Sequence, residues 1–164
     1  MKIQRPGFTL IEAIIYVAII STILTVSLYF VWNIIGSQIK SGAIIETNQA
    51  ARYIQQTIAY DFHRAKTLNQ ISTDQVIITL VDNAQISYVF DRDNKNMTRQ
   101  VNQETPVVIN TAVVAVDGQW SNLSTTQSST IGLVLQIDYR TTVEQTEWQA
   151  NISLNTSYDL LLAP

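Results

Sequence analysis

The chain of 164 residues contains no cysteine, one histidine, three prolines and five glycines, and only 14% of its residues are charged. The absence of cysteine excludes disulfides, thiolate catalysis and zinc sites built on thiolates. The single histidine, His63, excludes metal sites that need several imidazoles and leaves any serine nucleophile without a convincing base. No glycine-rich phosphate loop is present. We therefore expect a protein that is not an enzyme and that binds no cofactor.

Charge is also nearly absent from residues 8–35, where Glu12 is the only charged side chain. A helix of that length spans roughly 42 Å, more than the roughly 30 Å hydrocarbon core of a bilayer. Lys2 and Arg5 precede it without any acid, which predicts a cytoplasmic N-terminus and an exported C-terminal part. No small-x-small cleavage site follows the apolar run, so we expect the helix to remain attached to the mature protein.

The segment that begins this apolar run reads Gly7-Phe8-Thr9-Leu10-Ile11-Glu12. A carboxylate inside a candidate membrane span is rare and usually functional. Together with the basic residues before it and the helix after it, this segment resembles the signature of the type IV prepilin family. That family includes type IV pilins, type II secretion pseudopilins and competence pilins. The resemblance is strong over residues 1–66 and only architectural beyond them.

The resemblance implies a role for each matched residue. Prepilin peptidase would cut after Gly7 and methylate Phe8, the new N-terminus. Glu12 would then be the fifth residue and would pair with the N-terminal amine of a neighbouring subunit during assembly. The implied partners are other pilin or pseudopilin subunits, the peptidase, the inner-membrane assembly platform and the lipid bilayer. Tyr29 departs from the pattern of many major pilins, which have a proline there, so the site of helix melting stays open.

Beyond residue 36 the helical pattern becomes one-sided. Gly36 and Gly42 each weaken a helix by about 1 kcal/mol relative to alanine, but neither has a proline beside it. We therefore expect one helix over about residues 8–66. The predicted buried stripe consists of Ile39, Ala43, Thr47, Ala51, Ile54, Ile58, Phe62 and Ala65. The opposite, polar face consists of Lys40, Glu46, Gln49, Gln56 and Arg64, with Asp61 nearby.

From residue 68 the apolar pattern alternates with a period of two, which predicts β-strands. The predicted strands are residues 75–81, 85–90, 97–101, 107–116, 131–140 and 147–154. Turns are predicted at Asp82 and Asn83 and at residues 91–96, and a polar surface loop at residues 121–130. The last residues, 158–164, are apolar enough to pack back onto the domain.

An antiparallel sheet with one apolar face needs a cover, and the free apolar stripe belongs to the second half of the long helix. We therefore predict an α+β fold, a lollipop whose distal helical half lies across a sheet of four to six strands. Type IV pilins have this architecture. The predicted organisation is a leader (residues 1–7), a transmembrane and assembly half-helix (8–36), an amphipathic half-helix (37–67) and a β-rich domain (68–164).

Several residues suggest sites that also have simpler interpretations. Asp91 and Asp93 place carboxylates in an asparagine-rich loop, where calcium could bind, but a hairpin tip explains the same composition. His63 is interpreted as a solvated helix residue. Trp120 is either an exposed adhesive aromatic or, as we favour, part of the core edge. The Asn-x-Ser/Thr sequons at Asn96, Asn122, Asn151 and Asn155 would stay unmodified in a bacterial source.

The sequence favours a structural subunit of a type IV pilus-like filament or a type II secretion pseudopilus. Residues 52–54 and 60–65 resemble minor pilins and the J-type minor pseudopilin more than a major subunit. The alternative is a non-polymerising single-pass membrane protein whose outer β domain binds a ligand. A DNA-uptake pilin would need a basic stripe, but acids interleave Arg92, Lys95 and Arg99, and the formal net charge of −3 argues against nucleic acid.

Overall fold

The computed structural model describes residues 9–125, 128–140 and 150–160. In these residues one α-helix, α1 (Leu10–His63), precedes eight antiparallel β-strands. The chain divides into two compact units, one ending at Ile39 and the other beginning at Lys40. The α+β class predicted from the sequence is confirmed, because an N-terminal helix is followed by antiparallel sheets.

The first unit contains the apolar part of α1. An 18-residue window of the helix reaches a mean hydropathy of 2.3, and none of that window is buried. By length and composition it is the one helix in the described part of the chain that could cross a membrane. The helix continues through Tyr29, Gly36 and Gly42, so the glycines do not terminate it, as predicted.

The second unit contains the amphipathic part of α1, whose buried residues follow one stripe. The buried helical residues are Ala43, Thr47, Ala50, Ala51, Ile54, Ile58, Asp61 and Phe62. The predicted apolar stripe beyond residue 40 is therefore confirmed. The prediction for Asp61 is wrong, because this residue is buried and does not accompany the polar face.

The helix ends at His63, three residues before the predicted end at residue 66. The next strand, β1 (Ala65–Ile71), was not predicted, because its exposed residues do not alternate with buried ones. It pairs with β2 (Gln75–Leu80), and the N–H of Val81 donates to the carbonyl of Arg64 at 3.0 Å. Residues 65 and 66, which the sequence predicts as the end of the helix, therefore belong to a β-strand.

The first sheet is a five-stranded antiparallel meander in the order β1-β2-β3-β4-β5. It continues from β2 through β3 (Gln85–Asp91), β4 (Asn96–Val101) and the two-residue β5 (Val107–Val108). Alternate residues of β2 and β3 are buried, as their period-two pattern predicts. The buried residues of β2 and β3 are Val76, Ile78, Leu80, Ile86, Tyr88 and Phe90.

The second sheet has three antiparallel strands in the order β6-β7-β8. They are β6 (Val114–Asn122), β7 (Thr130–Tyr139) and β8 (Asn151–Asp159). The expectation of a single sheet is therefore wrong. The predicted strand at residues 107–116 is interrupted after Val108, where the buried side chain of Asn110 accepts a hydrogen bond from the N–H of Met97 at 2.9 Å.

The boundaries of the loop before β7 and of the strand after it also differ from the prediction. The loop predicted at residues 121–130 is shorter, because Ser121 and Asn122 belong to β6 and Thr130 begins β7. Of the strand predicted at residues 147–154, residues 147–149 lie outside the described part, and β8 runs from Asn151 to Asp159. Of the C-terminal residues, Tyr158 is in β8 and Leu160 is buried, whereas residues 161–164 lie outside the described part.

The core of the second unit lies between the amphipathic part of α1 and both sheets. Phe62 of α1 stacks on Trp120 of β6 with ring centroids 5.9 Å apart, and it also lies 5.1 Å from the ring of Tyr158 in β8. The ring centroid of Phe62 also lies 6.4 Å from that of Tyr88 in β3. One helical side chain therefore contacts both sheets.

Candidate assembly site and helix–sheet junction

The predicted assembly residues begin at the N-terminal end of α1. Thr9 directly precedes the helix, and its hydroxyl accepts a hydrogen bond from the N–H of Glu12 at 3.4 Å. The carbonyl of Thr9 also accepts from the N–H of Ala13 at 3.2 Å. Thr9 is thus the N-cap, and the spacing Thr-x-x-Glu is that of a capping box. The same residues that resemble the prepilin signature therefore also carry a local signal for the start of a helix.

Glu12 lies in the first helical turn and is exposed. A carboxylate is favourable there because the free N–H groups and the helix dipole give this end a partial positive charge. Gly7 and Phe8, with Lys2 and Arg5, lie outside the described residues. The signature residues Thr9, Leu10 and Ile11 are all exposed. The structure therefore describes Glu12 and the rest of the signature but not the predicted cleavage point.

Apart from Glu12, the surface of α1 between Leu10 and Ile35 is predominantly apolar around the helix. Leu10 is 81% exposed and Trp32 is 79% exposed, and large apolar side chains between them are exposed around the helix. Two of its hydroxyls are satisfied within the helix, because Thr22 donates to the carbonyl of Ala18 at 2.9 Å and Thr25 to that of Ser21 at 2.8 Å. Because these hydroxyls are already hydrogen-bonded, they add little to the free-energy cost of transferring the helix from water into lipid.

At the other end of α1, the buried carboxylate of Asp61 joins the helix to the first sheet. Its oxygens accept hydrogen bonds from Nε and Nη2 of Arg99 at 2.7 and 3.0 Å. The hydroxyl of Tyr88 donates to the same carboxylate at 2.5 Å. Asp61 is 1% exposed and the Arg99 side chain is 27% exposed. The charge of Asp61 is thus neutralised by bidentate pairing inside the domain.

The electrostatics of this junction follow from burial and from the carboxylate. Burial raises the pKa of Tyr88, and the hydrogen bond to Asp61 raises it further, because both disfavour the phenolate. The hydrogen bond from Arg99 to Asp61 raises the pKa of the guanidinium. Both partners of Asp61 therefore keep their protons over the whole ordinary pH range, which suits a structural junction.

Trp120 lies in the core, as favoured from the sequence, and is 4% exposed. The centroid of its ring lies 5.9 Å from that of Phe62 and 5.8 Å from that of Phe90. Its Nε1 is buried without a hydrogen-bond partner in the part of the chain that the structure describes. The residue is in the core because its apolar ring packs there, and not because its indole N–H donates a hydrogen bond.

Asp91 and Asp93 lie in a hairpin tip, where the carboxylate of Asp91 is engaged by a neighbour in the same loop. The carboxylate of Asp91 accepts from the backbone N–H of Asn94 at 3.0 Å and from its Nδ2 at 2.7 Å. The Asn94 side chain, followed by its backbone N–H, lowers the pKa of Asp91. Across residues 9–125, 128–140 and 150–160, no group of three or more His, Asp or Glu side chains could hold a metal ion.

Two of the three basic residues considered for DNA binding are in ion pairs. Arg92 pairs with Asp74 at 2.5 Å and with Asp117 at 3.3 Å. Arg99 pairs with Asp61. His63 is exposed at the end of α1, as predicted.

Comparisons of the chain with protein-family models, with curated proteins and with solved structures gave no significant match.

Proposed function

We propose that the chain is a structural subunit, of the minor type, in a type IV pilus-like filament or a type II secretion pseudopilus. The observation that carries this proposal is the apolar surface of α1, which stays exposed from Leu10 to Ile35. A helix that is apolar on all sides needs either lipid or other apolar helices around it. The same surface can therefore be stored in a bilayer and later packed into a bundle.

Glu12 favours the helix bundle over the bilayer. A carboxylate without a partner in hydrocarbon costs on the order of 3 kcal/mol at the centre of a membrane, and less near its surface. A cationic group of a neighbouring subunit offsets that cost in a bundle. The N-terminal amine released by cleavage after Gly7 is such a group, and it would lie at the depth of the next subunit's first helical turn.

The proposed pathway also includes an orientation in the membrane and a cleavage step. Lys2 and Arg5 hold the N-terminus in the cytoplasm, and the β-rich unit is exported. Prepilin peptidase removes residues 1–7 and methylates Phe8, after which the assembly platform extracts the helix into the filament. In this pathway the second unit is the exported domain, and its partners are other pilin-like subunits.

The proposal is tested by expressing the chain with a prepilin peptidase and its assembly machinery. Intact mass and N-terminal analysis should show loss of residues 1–7 and gain of one methyl group. Gly7→Val should leave a longer, unprocessed chain. Glu12→Ala should be processed normally but should not enter filaments, and Glu46→Ala on the polar face of α1 is the matched control.

Two results would contradict the filament role. One is a mature chain that still begins at Met1 in the presence of the peptidase. The other is a Glu12→Ala variant that enters filaments as well as the Glu46→Ala control. Normal membrane insertion with either result would favour the non-polymerising, single-pass membrane protein.

A further inference from the structure

The edges of the two sheets differ in how they are protected. An unprotected sheet edge presents free N–H and C=O groups to other strands, and proteins usually block it with lysine, bulges or very short strands. The β1 edge contains Lys66 and two register shifts, and β5 at the opposite edge has only two residues. These two edges are therefore poor templates for an added strand.

In the second sheet, the outer side of β6 is bonded to loops of the first sheet. The N–H of Val116 donates to the carbonyl of Lys95 at 2.8 Å, and the N–H of Trp120 to that of Thr73 at 2.9 Å. The outer edge of β8 differs. Its nine residues pair with β7 in a continuous one-to-one register, and they contain no lysine, arginine or proline.

The direction of the free backbone groups follows from the bonds at the two ends of β8. The N–H of Tyr139 donates to the carbonyl of Ala150 at 2.9 Å, and the N–H of Leu160 donates to that of Ser129 at 2.9 Å. Even-numbered residues of β8 therefore bond to β7, and the odd-numbered ones direct N–H and C=O outward. Within the described residues no backbone partner meets these outward groups.

The side chains of β8 leave room for a neighbour. Its odd-numbered side chains are exposed, and its even-numbered ones, on the core face, are only half-buried. These half-buried side chains are Ile152, Leu154, Thr156 and Tyr158. A cleft of about 330 Å³ between the 44–48 turn of α1 and residues 150–152 shows that the helix does not close over the start of the strand.

We infer that β8 is a contact site for a second copy of this chain, which adds its own β8 in antiparallel register about Asn155. This register uses the full length of both strands and pairs every outward-directed backbone group. It places Asn151 opposite Asp159 of the other copy. Asp159 is the one charged residue of β8, so in this register its carboxylate lies opposite a neutral amide and not opposite another carboxylate.

The same register is favourable for the half-buried side chains. It places Ile152 opposite Tyr158 of the other copy and Leu154 opposite Thr156, in the non-hydrogen-bonded positions where side chains approach most closely. An aromatic residue opposite a β-branched one is among the favourable cross-strand pairs. Because this contact is isologous, it closes after two chains and does not by itself extend a filament. The inference does not rest on the proposed filament role.

Single cysteines provide a direct test because the native chain has none. In the full chain in detergent micelles, Asn155→Cys should form a disulfide dimer under mild oxidation, since hydrogen-bonded antiparallel pairs have Cα atoms about 5.5 Å apart. A mixture of Ser153→Cys and Ser157→Cys chains should cross-link to each other more than either does alone. Gln70→Cys, exposed on the protected β1 edge, is the matched control and should remain monomeric.

A second measurement needs no cysteine. Asn155→Lys places like charges opposite each other across the two-fold axis and should weaken dimerisation about tenfold or more, measured by analytical ultracentrifugation. Gln70→Lys should have no effect. The inference is overturned by a monomeric native chain, by equal cross-linking at positions 70 and 155, by open-ended aggregates, or by a thiol introduced at position 155 that reacts too slowly to be exposed. The Glu12→Ala variant should dimerise through β8 normally, so failure of the filament role and failure of this contact are distinguishable.

Discussion

Asp61, in the last turn of α1, is held by Arg99 of β4, which lies 38 residues away in the sequence and donates at 2.7 and 3.0 Å. This pair joins the end of the long helix to β4 of the first sheet. If α1 is pulled from a membrane during the proposed assembly, the load reaches the second unit through the amphipathic part of this helix, which ends at this pair. The junction is therefore where the stability of the domain and its proposed role meet.

Arg99→Met should destabilise the domain by about 3 kcal/mol, because it leaves the buried carboxylate of Asp61 without its cation. Urea unfolding of the full chain in detergent measures this loss. Arg92→Met is the matched control, since Arg92 also pairs with aspartates but is about half exposed. The control should change the free energy of unfolding by less than about 1 kcal/mol. Equal effects of the two substitutions would show that the Asp61 pair has no special role.

The pKa of Tyr88 predicts how stability changes in alkali. Its pKa is raised in the folded protein, mainly by burial, above the ordinary value near 10. The unfolded chain therefore loses this proton first. Stability from Tyr88 is present in full below about pH 10 and falls by about 1.4 kcal/mol per pH unit above it.

Urea unfolding at several pH values from 8 to 11 measures this dependence. Tyr88→Phe should be less stable than the native chain at pH 8, because it loses the bond to Asp61, but its stability should fall less steeply in alkali. Tyr158, whose pKa is also raised by burial, makes a smaller contribution, and Tyr158→Phe is the comparison. Parallel curves for the native chain and Tyr88→Phe would contradict the argument.

The sequence predicted the parts of the fold that depend on local pattern. Alternation identified β2 and β3, and steps of three and four identified the buried stripe of α1. The sequence did not predict β1, because its two register shifts break the alternation. Nor did it predict the division into two sheets, because the interruption after β5 depends on tertiary contacts of Asn110.

The candidate site was predictable to a similar degree. The sequence predicts that Glu12 lies near the N-terminal end of a helix, and in the structure it lies in the first helical turn. The burial of Asp61 was not predictable, because its partners Tyr88 and Arg99 are 27 and 38 residues away. A carboxylate beside a helical stripe is ordinarily solvated, and only the placement of a distant cation allows its burial.

Gly118 lies where β6 and β7 leave no room for a side chain. A Cβ atom there would come within 2.5 Å of the Val134 carbonyl oxygen and 2.7 Å of Cζ of Phe90. Gly118→Ala should therefore destabilise the domain by about 1–3 kcal/mol, because backbone and core must both shift. In Gly42→Ala the new Cβ meets nothing within 4 Å, and the better helix propensity should stabilise α1 by up to about 1 kcal/mol. Thermal unfolding followed by circular dichroism should show Tm changes of opposite sign, and a harmless Gly118→Ala would contradict the packing argument.

Asn110 connects β4 to the beginning of β6 through its buried amide. Its Oδ1 accepts from the N–H of Met97 at 2.9 Å, and its Nδ2 donates to the carbonyl of Val114 at 2.8 Å. Asn110→Leu keeps the branched shape of the side chain but leaves both backbone groups without their partner. Each such buried group costs about 1–3 kcal/mol, so a total loss of about 3 kcal/mol is expected in urea unfolding.

Asn69→Leu is the control for this last prediction. Asn69 also bonds through its side-chain oxygen, to the hydroxyls of Thr67 and Thr79, but it is exposed on β1. Water replaces its lost bonds, so the free energy of unfolding should change by less than about 0.5 kcal/mol. Hydrogen exchange gives a second readout, because the amide of Met97 should lose protection in Asn110→Leu and keep it in the control. If both variants were equally stable and the Met97 amide stayed protected, Asn110 would not be what joins the two sheets at this point.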